Sequence, residues 1–115
     1  MIYGFEKITE PLTDYEKKVL LPAIVNGLKT KIGKNNAITN IKMIKALREH
    51  GFNSLSEPRI RIIINCIRCN SIIINLIASN KGYWIEPNIN ERRKYVEGVK
   101  KRSNSMLEAL KSIEI

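Results

Sequence analysis

The sequence predicts an α+β fold, mainly helical, with one β-hairpin and an additional C-terminal helix. Three observations predict it. Helix-start residues (Thr13, Asn40, Ser56 and Asn90) stand ahead of four segments whose apolar residues recur at helical spacing. A single strand-turn-strand signature lies between Ile72 and Ile85. The 115 residues, 43% of them hydrophobic, suffice for one core and not for two.

Residues 1–12 are mixed in character and end in Glu10-Pro11-Leu12, an extended lead-in. Thr13 followed three residues later by Glu16 makes a capping box, with Leu12 placed to staple the first turn. Tyr15, Val19, Ala23 and Ile24, widened by Leu20 and Leu28, predict the packing face of a helix to about Lys31. Pro22 inside that pattern should kink or restart it. Gly33-Lys34-Asn35-Asn36 reads as a loop, and Ala37-Ile38-Thr39 as a short β segment. Asn40 is the cap candidate for a second helix, with Ile41, Ile44, Ala46 and Leu47 as its contacts and Gly51 closing it.

The stretch from Ser56 to Asn70 is ambiguous, because Arg59-Ile60-Arg61-Ile62 alternates like a strand. Three features favour a helix. Ser56 can cap it, Pro58 falls in the first turn, and Ile60, Ile63, Ile64 and Ile67 follow the i, i+3, i+4, i+7 template. Residues 72–78 then read as a strand, Ser79-Asn80-Lys81-Gly82 as a turn, and Tyr83-Trp84-Ile85 as a second strand. Tyr83 and Trp84 alternate, so one should pack inward and the other lie nearer the surface. From Asn90 the chain turns helical again. Ile89, Val96, Val99, Met106, Leu110 and Ile113 fall on a and d positions of a seven-residue register, interrupted by Arg92 and Ser103.

Helix, short strand, helix, turn, helix, hairpin, helix is the order of a winged helix-turn-helix: a three-helix core plus a β-hairpin wing. On that reading residues 1–88 form the winged-helix domain with its lead-in. Residues 89–115 form a C-terminal helix that packs on the domain or makes a homodimer contact.

Twenty Lys and Arg against eleven Asp and Glu leave a formal charge of +9, which favours a polyanionic partner. If the four isoleucines face the core, Arg61, Asn65 and Arg68 turn outward with Arg59 at the flank. Arg can form a bidentate bond with guanine and Asn with adenine, so these residues suit base edges and phosphates of double-stranded DNA. At the hairpin tip Asn80 and Lys81 are placed for phosphate or sugar, though hairpin tips are commonly polar in any case. Lys42, Lys45 and Arg48 on the second helix read first as a solvated face. The expected DNA-binding set is therefore Arg59, Arg61, Asn65, Arg68, Asn80 and Lys81. The basic face addresses phosphate before sugar type, so RNA stays open.

The run Ile77-Ala78-Ser79-Asn80-Lys81-Gly82-Tyr83-Trp84-Ile85, after an Arg-bearing helix, resembles the wing of winged-helix domains such as the N-terminal domain of biotin-operon repressors. The whole arrangement is similar to small winged-helix proteins of phages and other mobile elements, in which a helix like Tyr95–Arg102 follows the wing. The resemblance covers about residues 37–110. It implies DNA binding in transcription regulation, replication or element maintenance. The connection from Gly51 to Ser56 is longer than the usual helix-turn-helix turn, and Pro58 stiffens the start of the recognition helix.

No enzyme is expected. The chain has one histidine, His50, and one aspartate, Asp14, with no phosphate loop or paired-carboxylate motif. Cys66 and Cys69 form a lone Cys-x-x-Cys without the further ligands that zinc wants, and they read as small side chains on one helix. No metal, cofactor or small-molecule ligand is called for. The opening residues lack a secretory leader, and the apolar runs are too interrupted to span a bilayer, so no membrane association and a cytoplasmic location are expected. The rival reading is a winged-helix protein-protein interaction module that does not bind DNA.

Overall fold

A computed structural model of the chain describes residues 12–53 and 55–113. They form a mainly helical α+β structure with a small two-stranded antiparallel sheet. The expected lead-in, apart from Leu12, lies outside the described residues; Leu12 is buried in the core.

The capping box forms as read. The Thr13 N–H donates to Glu16 Oε1 at 2.8 Å, and the Glu16 N–H donates to Thr13 Oγ1 at 3.1 Å. A π-helical turn, Glu16–Leu20, runs directly into helix α1, Leu21–Leu28, whose first turn holds Pro22. There the proline's missing N–H costs little, so the helix restarts instead of breaking. The wider π turn shifts the helical register. Leu20, Ile24 and Leu28 are buried as expected, but Tyr15 and Val19, expected on the same face, are exposed, and Glu16 and Val25 are buried in their place.

Ile32 makes a parallel bridge to Ile85 ahead of a 3-10 turn, Lys34–Asn36, and Ile38 makes one antiparallel bridge to Tyr83 after it. Helix α2 spans Asn40–Glu49. Its cap is Thr39, not Asn40: Thr39 Oγ1 accepts from the Lys42 N–H at 3.3 Å. Met43, Ile44 and Leu47 are buried, whereas Ile41 and Ala46 face outward. Ile41 lies about 200° round the helix from Met43, so it cannot share that face. Gly51, at φ +87°, ends α2, with Phe52 N–H bonded to Leu47 O at 2.9 Å and Gly51 N–H to Arg48 O at 3.0 Å. This is the Schellman pattern.

Helix α3 spans Glu57–Cys69, which resolves the ambiguous stretch. Ser56 caps it through the Arg59 N–H, and Pro58 lies in its first turn. Ile60, Ile63, Ile64 and Ile67 are all buried. A strand would have turned Ile63 and Ile67 out beside Arg61. A second Schellman pattern closes α3. Ser71 takes φ +54°, its N–H bonds Arg68 O at 3.2 Å, and Ile72 N–H bonds Ile67 O at 3.0 Å.

The strand expected from Ile72 therefore starts later. Strand β1 is Leu76–Ser79 and β2 is Gly82–Ile85, in register from Leu76↔Ile85 to Ser79↔Gly82. Left-handed backbone at Ser71 and at Asn75, φ +62°, turns the chain back toward the core before pairing can begin. Tyr83 joins the core, and Trp84 is buried as well, paired across the strands with Ile77. The expectation that one aromatic lies nearer the surface is thus corrected.

Helix α4 spans Ile89–Leu110 and is capped by Asn88 rather than Asn90. Asn88 Oδ1 accepts from the N–H groups of Asn90 and Glu91 at 2.8 and 3.2 Å. No residue of α4 is buried, so it does not close the core. Among the described residues no helix is long and apolar enough to cross a membrane.

Gly82 combines two constraints. Its φ is +112°, and a Cβ there would collide with the Ile38 carbonyl. We expect Gly82→Ala to destabilise by about 2 kcal/mol or more. Ser71→Gly, which relieves left-handed strain against the extra freedom of glycine, should stabilise by roughly 0.5–1 kcal/mol. Urea unfolding followed by circular dichroism checks both; an unchanged midpoint for Gly82→Ala would refute the account of the close approach.

Candidate nucleic-acid interface

Burying the isoleucines of α3 fixes what the helix presents to solvent. Pro58, Arg61 and Asn65 are exposed, and Arg68 is half-buried. Arg61 lies near Glu57 one turn back, 3.9 Å between charged atoms, in a solvated pair that restrains it little.

Three elements converge on this face around an open concavity of about 660 Å³. Helix α3 contributes Glu57, Arg61, Ile64, Asn65 and Arg68; the start of α2 contributes Thr39, Asn40 and Ile41; the hairpin contributes Ala78, Ser79, Asn80, Gly82 and Tyr83. Two hydrogen-bond links hold the walls together. The Tyr83 hydroxyl donates to Asn40 Oδ1 at 2.7 Å, tying β2 to α2. Burial pushes the Tyr83 phenol above its ordinary range. Arg68 Nη2 donates to the Tyr95 hydroxyl at 3.0 Å, and that hydroxyl donates to Ala78 O at 3.0 Å. The Arg68 guanidinium also lies 6.0 Å from the Tyr95 ring centroid, at the limit of a cation–π contact. Helix α4 thus positions an arginine of α3 against β1.

Of the six residues expected from the sequence, Arg61, Asn65, Arg68 and Asn80 line the concavity. Lys81 is exposed next to Asn80 at the hairpin tip, where its N–H bonds Ser79 Oγ at 3.1 Å. Neither Asn80 nor Lys81 has positive φ, so the tip is not a type I′ turn; the left-handed residue is Gly82. Arg59 is directed elsewhere. Its Nε donates to Glu16 Oε2 at 2.8 Å and its Nη2 pairs with Glu16 Oε1, a two-pronged bond to a buried carboxylate. Lys42, Lys45 and Arg48 are exposed on α2.

Sequence reasoning missed Asn40, Tyr83 and Tyr95 as members of this site. Asn40 was read as a cap, and no local pattern marks a tyrosine whose partner lies 27 or 43 residues away. Cys66 is buried, with burial pushing its thiol up, while Cys69 is exposed with its Sγ 3.7 Å from Asn65 Oδ1.

The Glu16–Arg59 pair has a pH signature. Its hydrogen bond to Arg59, opposed by burial, holds the Glu16 carboxyl below its ordinary range. A carboxylate with a depressed folded-state value contributes stability that is present above its unfolded value and lost as pH falls through the folded one. Glu16→Gln should therefore lower the melting temperature at neutral pH and flatten its decline below about pH 4. Thermal melts between pH 3 and 7 test this; parallel declines for both proteins would contradict it.

No protein-family model, curated protein or solved structure matches this chain.

Proposed function

We propose that the chain is a winged helix-turn-helix protein that binds double-stranded DNA, with α3 in the major groove and the β1–β2 hairpin as its wing. It would serve transcription regulation or the replication of a phage or mobile element, in keeping with its resemblance to small winged-helix proteins. The observation that carries the reading is the meeting of Arg61, Asn65 and Arg68 with Asn80 around one open concavity. Its support on the side of the fold is the order α1, Ile38, α2, α3, hairpin, with Ile38 bridged to the hairpin's second strand.

The chemistry follows from the geometry. A helix seated in the major groove leaves one sugar-phosphate strand running between it and the wing. The concavity offers that strand the guanidinium of Arg68 and the polar side chains of Ser79 and Asn80. Arg61 and Asn65, nearer the exposed face of α3, reach base edges. Lys81 grips the backbone beyond the tip. Arg59, held by Glu16, acts through the fold, since it locks the start of α3 to the first helical turn.

Fluorescence anisotropy with random-sequence duplex DNA at two salt concentrations tests the proposal. Binding at low salt should weaken steeply as salt rises, by a log-log slope of about −0.9 per phosphate contacted. Lys81→Ala should reduce that slope by about one, and Arg61→Ala should weaken binding further on a selected site, by about 1–3 kcal/mol. A duplex RNA of the same length separates the sugar types. Absence of binding at low salt, or binding indifferent to both substitutions, would leave the docking-module reading in its place.

A further inference from the structure

Gly27 stands in the body of α1, where glycine is a poor helix former. It has no positive φ, and a Cβ added there would meet no described atom within 4 Å. Neither backbone conformation nor close packing therefore calls for a glycine at this place. Gly27 lies four residues after Ala23 on the same flank of the helix. Among the described residues that flank faces α2 across an apolar pocket of about 410 Å³.

The pocket is built from the adjoining edges of the two helices. Ile24 and Leu28 of α1 and Met43 and Leu47 of α2, all buried, form its floor. Ile38 and Phe52, both half-buried, complete the apolar lining. On the α2 side the exposed residue above Met43 and Leu47 is Ala46. Small residues thus stand on both walls where larger side chains would close the space over the floor. The volume falls toward the lower end of the ~300–1,000 Å³ typical of small-molecule sites.

Charge narrows the chemistry of what fits. The lining includes one lysine, Lys31, and no acidic residue. The backbone of Lys31 is held on both sides: its N–H donates to Leu28 O at 2.9 Å, and its carbonyl accepts from the Ile85 N–H at 2.7 Å. The half-buried side chain therefore extends from a fixed base, and among the described residues its ammonium has no ion-pair partner.

We infer that this pocket binds a small amphipathic carboxylate, its apolar body between Gly27 and Ala46 and its carboxylate at the Lys31 ammonium. Burial of the apolar body supplies most of the affinity, and the single charge sets the orientation. The sequence alone calls for no such ligand, because the two walls belong to different helices. Nothing in the site depends on DNA binding.

Octanoate, added to the full chain without DNA and followed by ¹⁵N–¹H NMR, is the probe. Saturable shifts should gather on residues 23–31 and 43–52, and octanol should bind more weakly. Gly27→Leu should weaken octanoate binding by about tenfold or more, with the melting temperature unchanged or raised, since leucine is the better helix former. Ala46→Leu closes the pocket from the other wall and should do the same. Lys31→Met should cost octanoate about two- to fivefold and octanol nothing, the range of a partly solvated ion pair. Shifts scattered over the chain without saturation, or octanoate binding unchanged in Gly27→Leu and Ala46→Leu, would overturn the site. Octanol binding as tightly as octanoate would overturn the carboxylate.

Discussion

Helix α3 has to satisfy two demands at once, and its isoleucine stripe decides how it does so. Ile60, Ile63 and Ile67 have no solvent exposure, and full burial of side chains of this size is worth about 1.5–3 kcal/mol each. That gain fixes the rotation of the helix about its own axis. Once the four isoleucines point inward, Arg61 and Asn65 have no direction left but outward. The remaining elements are arranged round this helix, with α1 and α2 on its apolar side and the hairpin returning beside its far end.

The hairpin's position depends on backbone more than on side chains. Gly82 lets β2 approach Ile38 closely enough to exchange two hydrogen bonds, Ile38 N–H to Tyr83 O at 3.0 Å and Tyr83 N–H to Ile38 O at 2.9 Å. The hairpin tip is thereby fixed relative to the start of α2, and the Tyr83–Asn40 bond reinforces the same joint. At the other edge, Tyr95 links β1 to Arg68. The concavity is consequently framed by hydrogen bonds between elements, one of which holds Arg68 in place. Such preorganisation reduces the ordering cost of binding an extended polyanion.

Helix capping shows how local rules act with small errors of phase. Thr39 displaces Asn40 and Asn88 displaces Asn90, and in both cases a competent side chain lies one or two residues from the expected one. The displaced Asn40 is then available to hold Tyr83. A cap is chosen by where the chain can leave helical geometry, and that is set by what precedes it: the bridge at Ile38, and the exit from β2 past the buried Glu86.

The sequence by itself determined the elements and their inward faces wherever periodicity was strong. The isoleucine template of α3, the Thr13–Glu16 box, the Gly51 stop and the turn before Gly82 were all legible, because each depends on residues within one or two turns of each other. Arg61, Asn65, Arg68 and Asn80 were legible for the same reason, as the complement of a buried stripe and the tip of a hairpin. Only the tertiary structure decided that Arg59 belongs to Glu16, 43 residues away, and that Tyr95 positions Arg68. It also decided that Trp84 is buried and that β1 begins at Leu76. The π turn before Pro22 and the left-handed Ser71 and Asn75 alter phase and direction without a strong local signature. Pairing across long separations is set by how packed elements meet, and a one-dimensional pattern carries no term for that.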